Sequence, residues 1–311
     1  MTEIFDTIII GAGPAGLTGA IYTARSMLST CIIEQTGTGG SALVIDQLEN
    51  YPGFHEGISG YELASRMEQQ AKKFGAKIIA DEVLEISGKA GSFIVKCPNA
   101  LYKTRTILIA TGSKYKKLDI VGEKELAGRG VSYCATCDGA FFKGQKVAVI
   151  GGGNSALQEA GYLSRIASEV HIIHRRDAYR ASKLLQQRIS QNPKIKQVLN
   201  SIVTKINGSE KVESLLVKNV KTNNESVLPV EGVFVAAGHI PNTGFCKNLV
   251  DLDEKGYIIV DETLQTSVPG IFAAGDCRVT GLRQVATAVG DGAFASESID
   301  KILQKLQESR E

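Results

Sequence analysis

The run Thr7-Ile8-Ile9-Ile10-Gly11-Ala12-Gly13-Pro14-Ala15-Gly16 settles the class of fold. A β-branched apolar segment of strand length stops at a glycine, and Leu17 to Met27 then carries a helical pattern. Strand, G-x-G-x-x-G turn and helix in that order make a dinucleotide-binding fingerprint. Gly11 permits the tight turn, Gly13 lets the backbone approach a pyrophosphate, and Gly16 lets the helix close on the strand. Pro14 and Ala15 complete the entry into the helix, whose free N–H groups and positive dipole end suit phosphate. The next strand, Thr30-Cys31-Ile32-Ile33, ends at Glu34, 23 residues beyond Gly11. A carboxylate there accepts hydrogen bonds from ribose hydroxyls.

The same grammar returns 140 residues later. Lys146 to Ile150 reads as a strand, Gly151-Gly152-Gly153-Asn154-Ser155-Ala156 as the turn, Ala156 to Ser164 as a helix and Val170 to Ile173 as a strand. The position equivalent to Glu34 is His174, followed by Arg175, Arg176 and Arg180. A carboxylate repels a ribose 2′-phosphate, whereas clustered guanidiniums bind it in forked geometry. The first site therefore suits a dinucleotide with a free ribose hydroxyl, and the second suits NADPH.

Each fingerprint is followed by short strands, from Lys77 to Ile109 and from Ile195 to Val230. Each set closes on a matching run, Ile107 to Gly112 and Val233 to Gly238, so the chain holds an internal duplication. After Ile240-Pro241-Asn242 the sequence returns to the first domain. Tyr257 to Val260 reads as a strand, Ile271 to Asp276 as a strand ending in Gly275 and Asp276, and Gln284 to Leu306 as a helix interrupted at Gly290-Asp291-Gly292. The expected fold is α/β, with two Rossmann-like (FAD/NAD(P)-binding, three-layer ββα) domains, the second inserted into the first. The expected boundaries are 1–115 and 242–311 for the FAD-binding domain and 116–241 for the NADPH-binding domain.

Between the fingerprints lies Cys134-Ala135-Thr136-Cys137-Asp138. A cysteine pair at this spacing is redox-active or half of a zinc site. Zinc needs two more ligands, and none of His55, His171, His174 and His239 forms a second paired cluster; no metal is expected. A nicotinamide gives hydride, which a disulfide accepts poorly. A flavin accepts hydride and passes an electron pair to sulfur, so FAD is the natural occupant of the first site. Asp138 is the candidate acid/base for the sulfur proton. Cys137 is expected to face the flavin and Cys134 to attack an outside disulfide through a mixed disulfide.

Composition narrows the rest. Hydrophobic content of 43% and charged content of 22% over 311 residues are those of a globular protein long enough for two domains. A net charge of +2 argues against nucleic acid, and no run of 18 apolar residues argues for a membrane span. Met1 to Asp6 has acids where a signal peptide has basic residues, so a cytoplasmic protein is expected. Six cysteines in this length are no disulfide scaffold.

Gly11 to Gly16, Cys134 to Gly139, Gly151 to Ala156, His174-Arg175-Arg176-Asp177 with Arg180, Gly238-His239-Ile240-Pro241-Asn242-Thr243 and Ala273-Ala274-Gly275-Asp276 together resemble the low-molecular-weight, bacterial-type thioredoxin reductases. The resemblance spans nearly the whole chain. It implies a homodimeric flavoenzyme that reduces thioredoxin with NADPH, rotating one domain against the other at hinges near Lys114 and Pro241. It implies redox roles for Cys134 and Cys137 and FAD contacts at Gly13, Gly16, Glu34, Gly40, Asn50, Thr111, Gly112, Gly275, Asp276, Arg283, Gln284 and Val285. It implies 2′-phosphate contacts at Arg175, Arg176 and Arg180. Two positions depart from the family: Ser41 follows Gly39-Gly40 where Gln is usual, and Cys277 follows Asp276 where an apolar residue is usual. A relative fed by ferredoxin would not need the arginine cluster. A glutaredoxin-like partner and a non-catalytic redox sensor are the other readings.

Overall fold

Successive side chains of a strand face opposite ways, and β1 (Ile4–Ile10) uses both faces. Ile9 packs among helix residues, while Ile8 and Ile10 pack in a separate core on the other face. That division produces three layers. The structure, a computed structural model, describes residues 4–45 and 47–308. Met1, Thr2 and Glu3, part of the stretch read above as unlike a signal peptide, lie outside them. The chain divides into two units, Met1–Lys114 with Ile240–Glu311, and Tyr115–His239.

In the first unit β1 leads through the glycine turn into α1 (Pro14–Arg25), then β2 (Thr30–Glu34), α2 (Gly60–Lys73), β3 (Lys77–Ala80), β4 (Glu85–Lys89), β5 (Ser92–Lys96) and β6 (Leu101–Ile109). The sheet order is β3-β2-β1-β6-β5-β4. β1, β2 and β3 are parallel, as are β1 and β6, while β4, β5 and β6 form an antiparallel meander. Nine-residue β6 serves both parts: Leu101 to Thr104 pair with β5, and Ile107 to Ile109 pair with a later strand (Ile271–Ala273).

The chain leaves and re-enters this unit along β7 (Ser113–Tyr115) and a strand at His239–Pro241, which pair with each other. Between them the second unit repeats the plan. It comprises β8 (Val131–Ser132), α3 (Ala135–Asp138), β9 (Lys146–Ile150), α4 (Asn154–Leu163), β10 (Glu169–Ile173), α5 (Lys183–Ser190), β11 (Ile195–Val198), β12 (Ser201–Asn207), β13 (Ser214–Asn219), β14 (Glu225–Pro229) and β15 (Gly232–Val235). A parallel sheet, β11-β10-β9-β15-β8, carries helices on one face and the antiparallel sheet β12-β13-β14 on the other. Val147 and Val149 face α4; Ala148 and Ile150 face the small sheet. With β16 for His239–Pro241, the chain finishes in the first unit with β17 (Ile271–Ala273) and α6 (Val285–Glu308).

Two sequence expectations need correction. Tyr257 to Val260 is not a strand: only Ile258 bridges, singly to Leu252 and to Arg278. The Tyr257 N–H is drawn instead into a local turn by Asp253 Oδ1 at 2.8 Å. And α6 runs unbroken through Gly290-Asp291-Gly292, so those N–H groups are spent inside the helix. Gly292 is there for contact: a Cβ on it would stand 2.2 Å from the Ala15 carbonyl oxygen of α1.

Candidate functional site

Helix N-termini normally recruit a side chain to satisfy free N–H groups. α2 and α5 do so, through Ser59 and Ser182. The two fingerprint helices do not: α1 is preceded by Gly13 and α4 by Gly153, with no side-chain cap at either. The glycines divide the labour as the sequence requires. A Cβ on Gly11 (φ 101) would meet Ala110 O at 2.5 Å, and one on Gly16 would meet Gly11 O at 1.9 Å. Gly13 has nothing within 4 Å of a Cβ. Turn and packing are tight, and the side facing the uncapped helix end is open.

The first unit brings some of the predicted contacts against this turn and pairs others with one another. Glu34 Oε2 accepts the Ala12 N–H at 2.7 Å, while Oε1 accepts from Thr36. Gly40 (φ 55) approaches so closely that its Cβ would lie 3.2 Å from Gly13 Cα. Asn50 Nδ2 donates to Gln284 Oε1 at 3.0 Å, joining two predicted contacts distant in sequence. Thr111 and Asn242 exchange hydrogen bonds of 2.7 and 2.9 Å, and Gly112 beyond them is at φ 66 with open space. Burial pushes the Asp276 carboxyl up to about 6, against the pull of Arg283. The Arg283 guanidinium lies 4.3 Å from the Tyr257 ring centre. Pro14 and Val285 open α1 and α6, and buried Ala15 lies beside Gly275. Ser41 directs its hydroxyl to Ser113 O at 3.5 Å.

The second unit repeats the crevice. Gly151 would press a Cβ against Ala236 O at 2.6 Å, while Gly153 is open. The buried His174 ring lies against Gly152, where a Cβ would come 2.3 Å from it. Burial, and then the neighbouring Arg180, Arg176 and Arg175, lower the His174 pKa, so the ring is neutral at pH 7. Those three arginines are exposed and make no ion pair among the described residues. The acid beside them, Asp177, is drawn off by Lys221 at 3.2 Å. Asn154 Oδ1 accepts Ser182 N–H at 2.8 Å, and Ser155 is exposed next to it.

Cys134 and Cys137 are joined in a disulfide across the first turn of α3. Cys134 Sγ accepts the Cys137 N–H at 3.2 Å. Sequence reading missed two supports of this loop. Ser132 donates to Asp138 Oδ2 at 2.6 Å and accepts Cys134 N–H at 3.1 Å. Buried Glu123 receives the Tyr133 hydroxyl at 3.0 Å and the Leu118 and Asp119 N–H groups. No motif flags them, because each acts through a fold contact and not a spacing. The other cysteines, Cys31, Cys97, Cys246 and Cys277, are buried in one core. Burial pushes Cys97 and Cys246 up to about 12 and Cys277 to about 11, so all three remain thiols, whereas reactivity belongs to the thiolate.

Residues 5–292 match the pyridine nucleotide-disulphide oxidoreductase family. The match covers both units and the Cys134–Cys137 disulfide, and the chain belongs to that family. Within the family it is similar throughout to thioredoxin reductases. The one from Listeria monocytogenes is 45% identical over 310 residues, 99% of this chain and 97% of the relative. The one from Bacillus subtilis is 46% identical over 308 residues, with the same coverage. The crystal structure of the Streptococcus pyogenes enzyme superposes with a TM-score of 0.93 at 45% identity, covering 98% of this chain and all of that one.

Proposed function

We propose that the chain reduces the disulfide of thioredoxin with NADPH, through FAD in the first unit and the Cys134–Cys137 disulfide in the second. The observation that carries this is the pairing of two uncapped fingerprint helices, one answered by a carboxylate at Glu34 and the other by arginines at 175, 176 and 180. The first crevice fits FAD: open space at Gly13 and Gly112 faces free N–H groups, with Glu34 and Asp276 available to hydroxyls. Gly11, Gly13, Pro14, Ala15, Gly16, Gly40, Asn50, Thr111, Gly275, Arg283, Gln284 and Val285 complete its proposed surround. FAD, when bound, accepts hydride and passes on an electron pair. Gly151, Gly153, Asn154, Ser155 and His174 would seat the NADPH pyrophosphate and adenosine, and the arginines its 2′-phosphate.

The chain's own chemistry lies at the cysteines. In the disulfide the Cys137 N–H points at Cys134 Sγ, a donor that, if kept in the dithiol, would stabilise negative charge on that sulfur. Cys134 then attacks the partner disulfide, a mixed disulfide forms, and Cys137 displaces the partner thiolate as the loop disulfide closes. Asp138, steered by Ser132, is the proposed group that takes and returns the sulfur proton. We further propose that the enzyme works as a homodimer in the cytoplasm; no helix among the described residues is long and apolar enough to cross a membrane.

The test is a coupled assay. NADPH should be oxidised on addition of oxidised thioredoxin, and Cys134→Ser or Cys137→Ser should abolish thioredoxin reduction while leaving flavin reduction by NADPH. Reduction of thioredoxin by either variant at the wild-type rate would refute the cysteine roles.

A further inference from the structure

The turn that carries Asp276 is held from behind by an ion pair outside both fingerprints. Arg278 donates twice to Asp291, from Nε to Oδ2 at 2.7 Å and from Nη2 to Oδ1 at 2.6 Å. The two side chains are only 18% and 15% exposed. The same Oδ2 accepts the Gly275 N–H at 2.9 Å, and Arg278 Nη1 donates to Val279 O at 2.9 Å. One residue of α6 thus fixes the backbone just before Asp276 and the side chain just after it.

The pair stands where three elements meet. Gly275 is at φ 74, and a Cβ on it would lie 3.0 Å from the Ala15 side chain of the fingerprint helix. Gly292, next to Asp291, is where α6 touches the Ala15 carbonyl. A fork-to-carboxylate pair fixes direction as well as distance. Breaking one half of a largely buried pair leaves the other without its counter-charge, which is costly.

We propose that Arg278 and Asp291 are positioning residues for FAD: together they hold the Gly275–Asp276 turn so that Asp276 presents its carboxyl to a hydroxyl of the cofactor. This rests on the reading of Asp276 as an FAD contact. Packing alone would fix where the turn sits, while the pair also fixes how it is rotated. The Asp291 charge also raises the pKa of Asp276, in the same direction as burial.

The experiment uses the full chain, reversibly stripped of FAD. The FAD dissociation constant is read from quenching of flavin fluorescence, the bound flavin from its visible circular dichroism, and the apoprotein from its thermal melt. Asp291→Ala should weaken FAD about tenfold to a hundredfold, the size of one to two charge-assisted hydrogen bonds. It should also alter the visible dichroism, and the apoprotein melt should fall too because Arg278 is left without its counter-charge, so affinity is read well below that melt. Asp291→Asn, which keeps an acceptor for the Gly275 N–H, should recover most of the affinity. Should Asp291→Ala fail to fold, Arg278→Lys, which keeps the charge and loses the fork, is read in the same way. Affinity within about twofold of wild type in these variants, with Asp276→Ala clearly weakened, overturns the proposal. Unchanged affinity in Asp276→Ala instead overturns the reading of Asp276 on which it stands.

Discussion

His174 shows how one residue combines packing and charge. Its ring lies over Gly152 and is buried, and burial lowers its pKa from the free value. The unfolded chain therefore takes up the proton first, and the neutral ring's stabilisation is present above about pH 6.5 and fades as pH falls below it. Urea unfolding followed by circular dichroism should show wild type losing stability from pH 7 to 5 more steeply than His174→Gln. Parallel curves would contradict the buried neutral ring. The arginines beside it make a separate prediction. Arg175→Ala or Arg176→Ala should raise KM for NADPH about tenfold or more, as expected for one charge-assisted hydrogen bond to phosphate, and leave KM for NADH nearly unchanged. Equal effects on the two cofactors would remove the 2′-phosphate from the site.

At the scale of elements, the two glycine turns separate stability from binding. Gly16→Ala places a methyl 1.9 Å from a carbonyl oxygen, whereas Gly13→Ala meets nothing within 4 Å. The first should lower unfolding free energy by about 1–3 kcal/mol, the usual cost of forcing a group into a packed contact. The second should leave the apoprotein melt alone and weaken FAD binding. The reverse pattern would mean that the open side of the turn is not the ligand side. These turns were legible in the sequence because strand, turn and helix follow one another within a dozen residues. Tyr257 to Val260 reads as a strand because the run is apolar and β-branched, but Asp253 captures the Tyr257 N–H and leaves only single bridges. The unbroken course of α6 was also hidden: Gly290 and Gly292 look like a break, and only the place of α1 beside Gly292 shows why glycine is needed there.

At the scale of the molecule, duplication and insertion were legible because both copies keep the order of strand, glycine turn, helix, meander and closing strand, and the two units each show that order. What escaped the sequence were residues that act through the fold: Ser132 under Asp138, Glu123 under Tyr133, and Asp291 behind Gly275. Their partners are set by strand and helix placement and leave no spacing to recognise. The functional reading requires two electron stores in series, the flavin and the Cys134–Cys137 disulfide. Anaerobic titration with NADPH, followed at the flavin absorbance, counts them. Wild type should take up two electron pairs, one for the flavin and one for the disulfide, and oxidised thioredoxin should draw them out again and restore the yellow colour. Cys137→Ser should bleach after a single pair and stay bleached when thioredoxin is added. A wild-type protein that bleaches with one pair and is not reoxidised by thioredoxin would contradict the route through the disulfide.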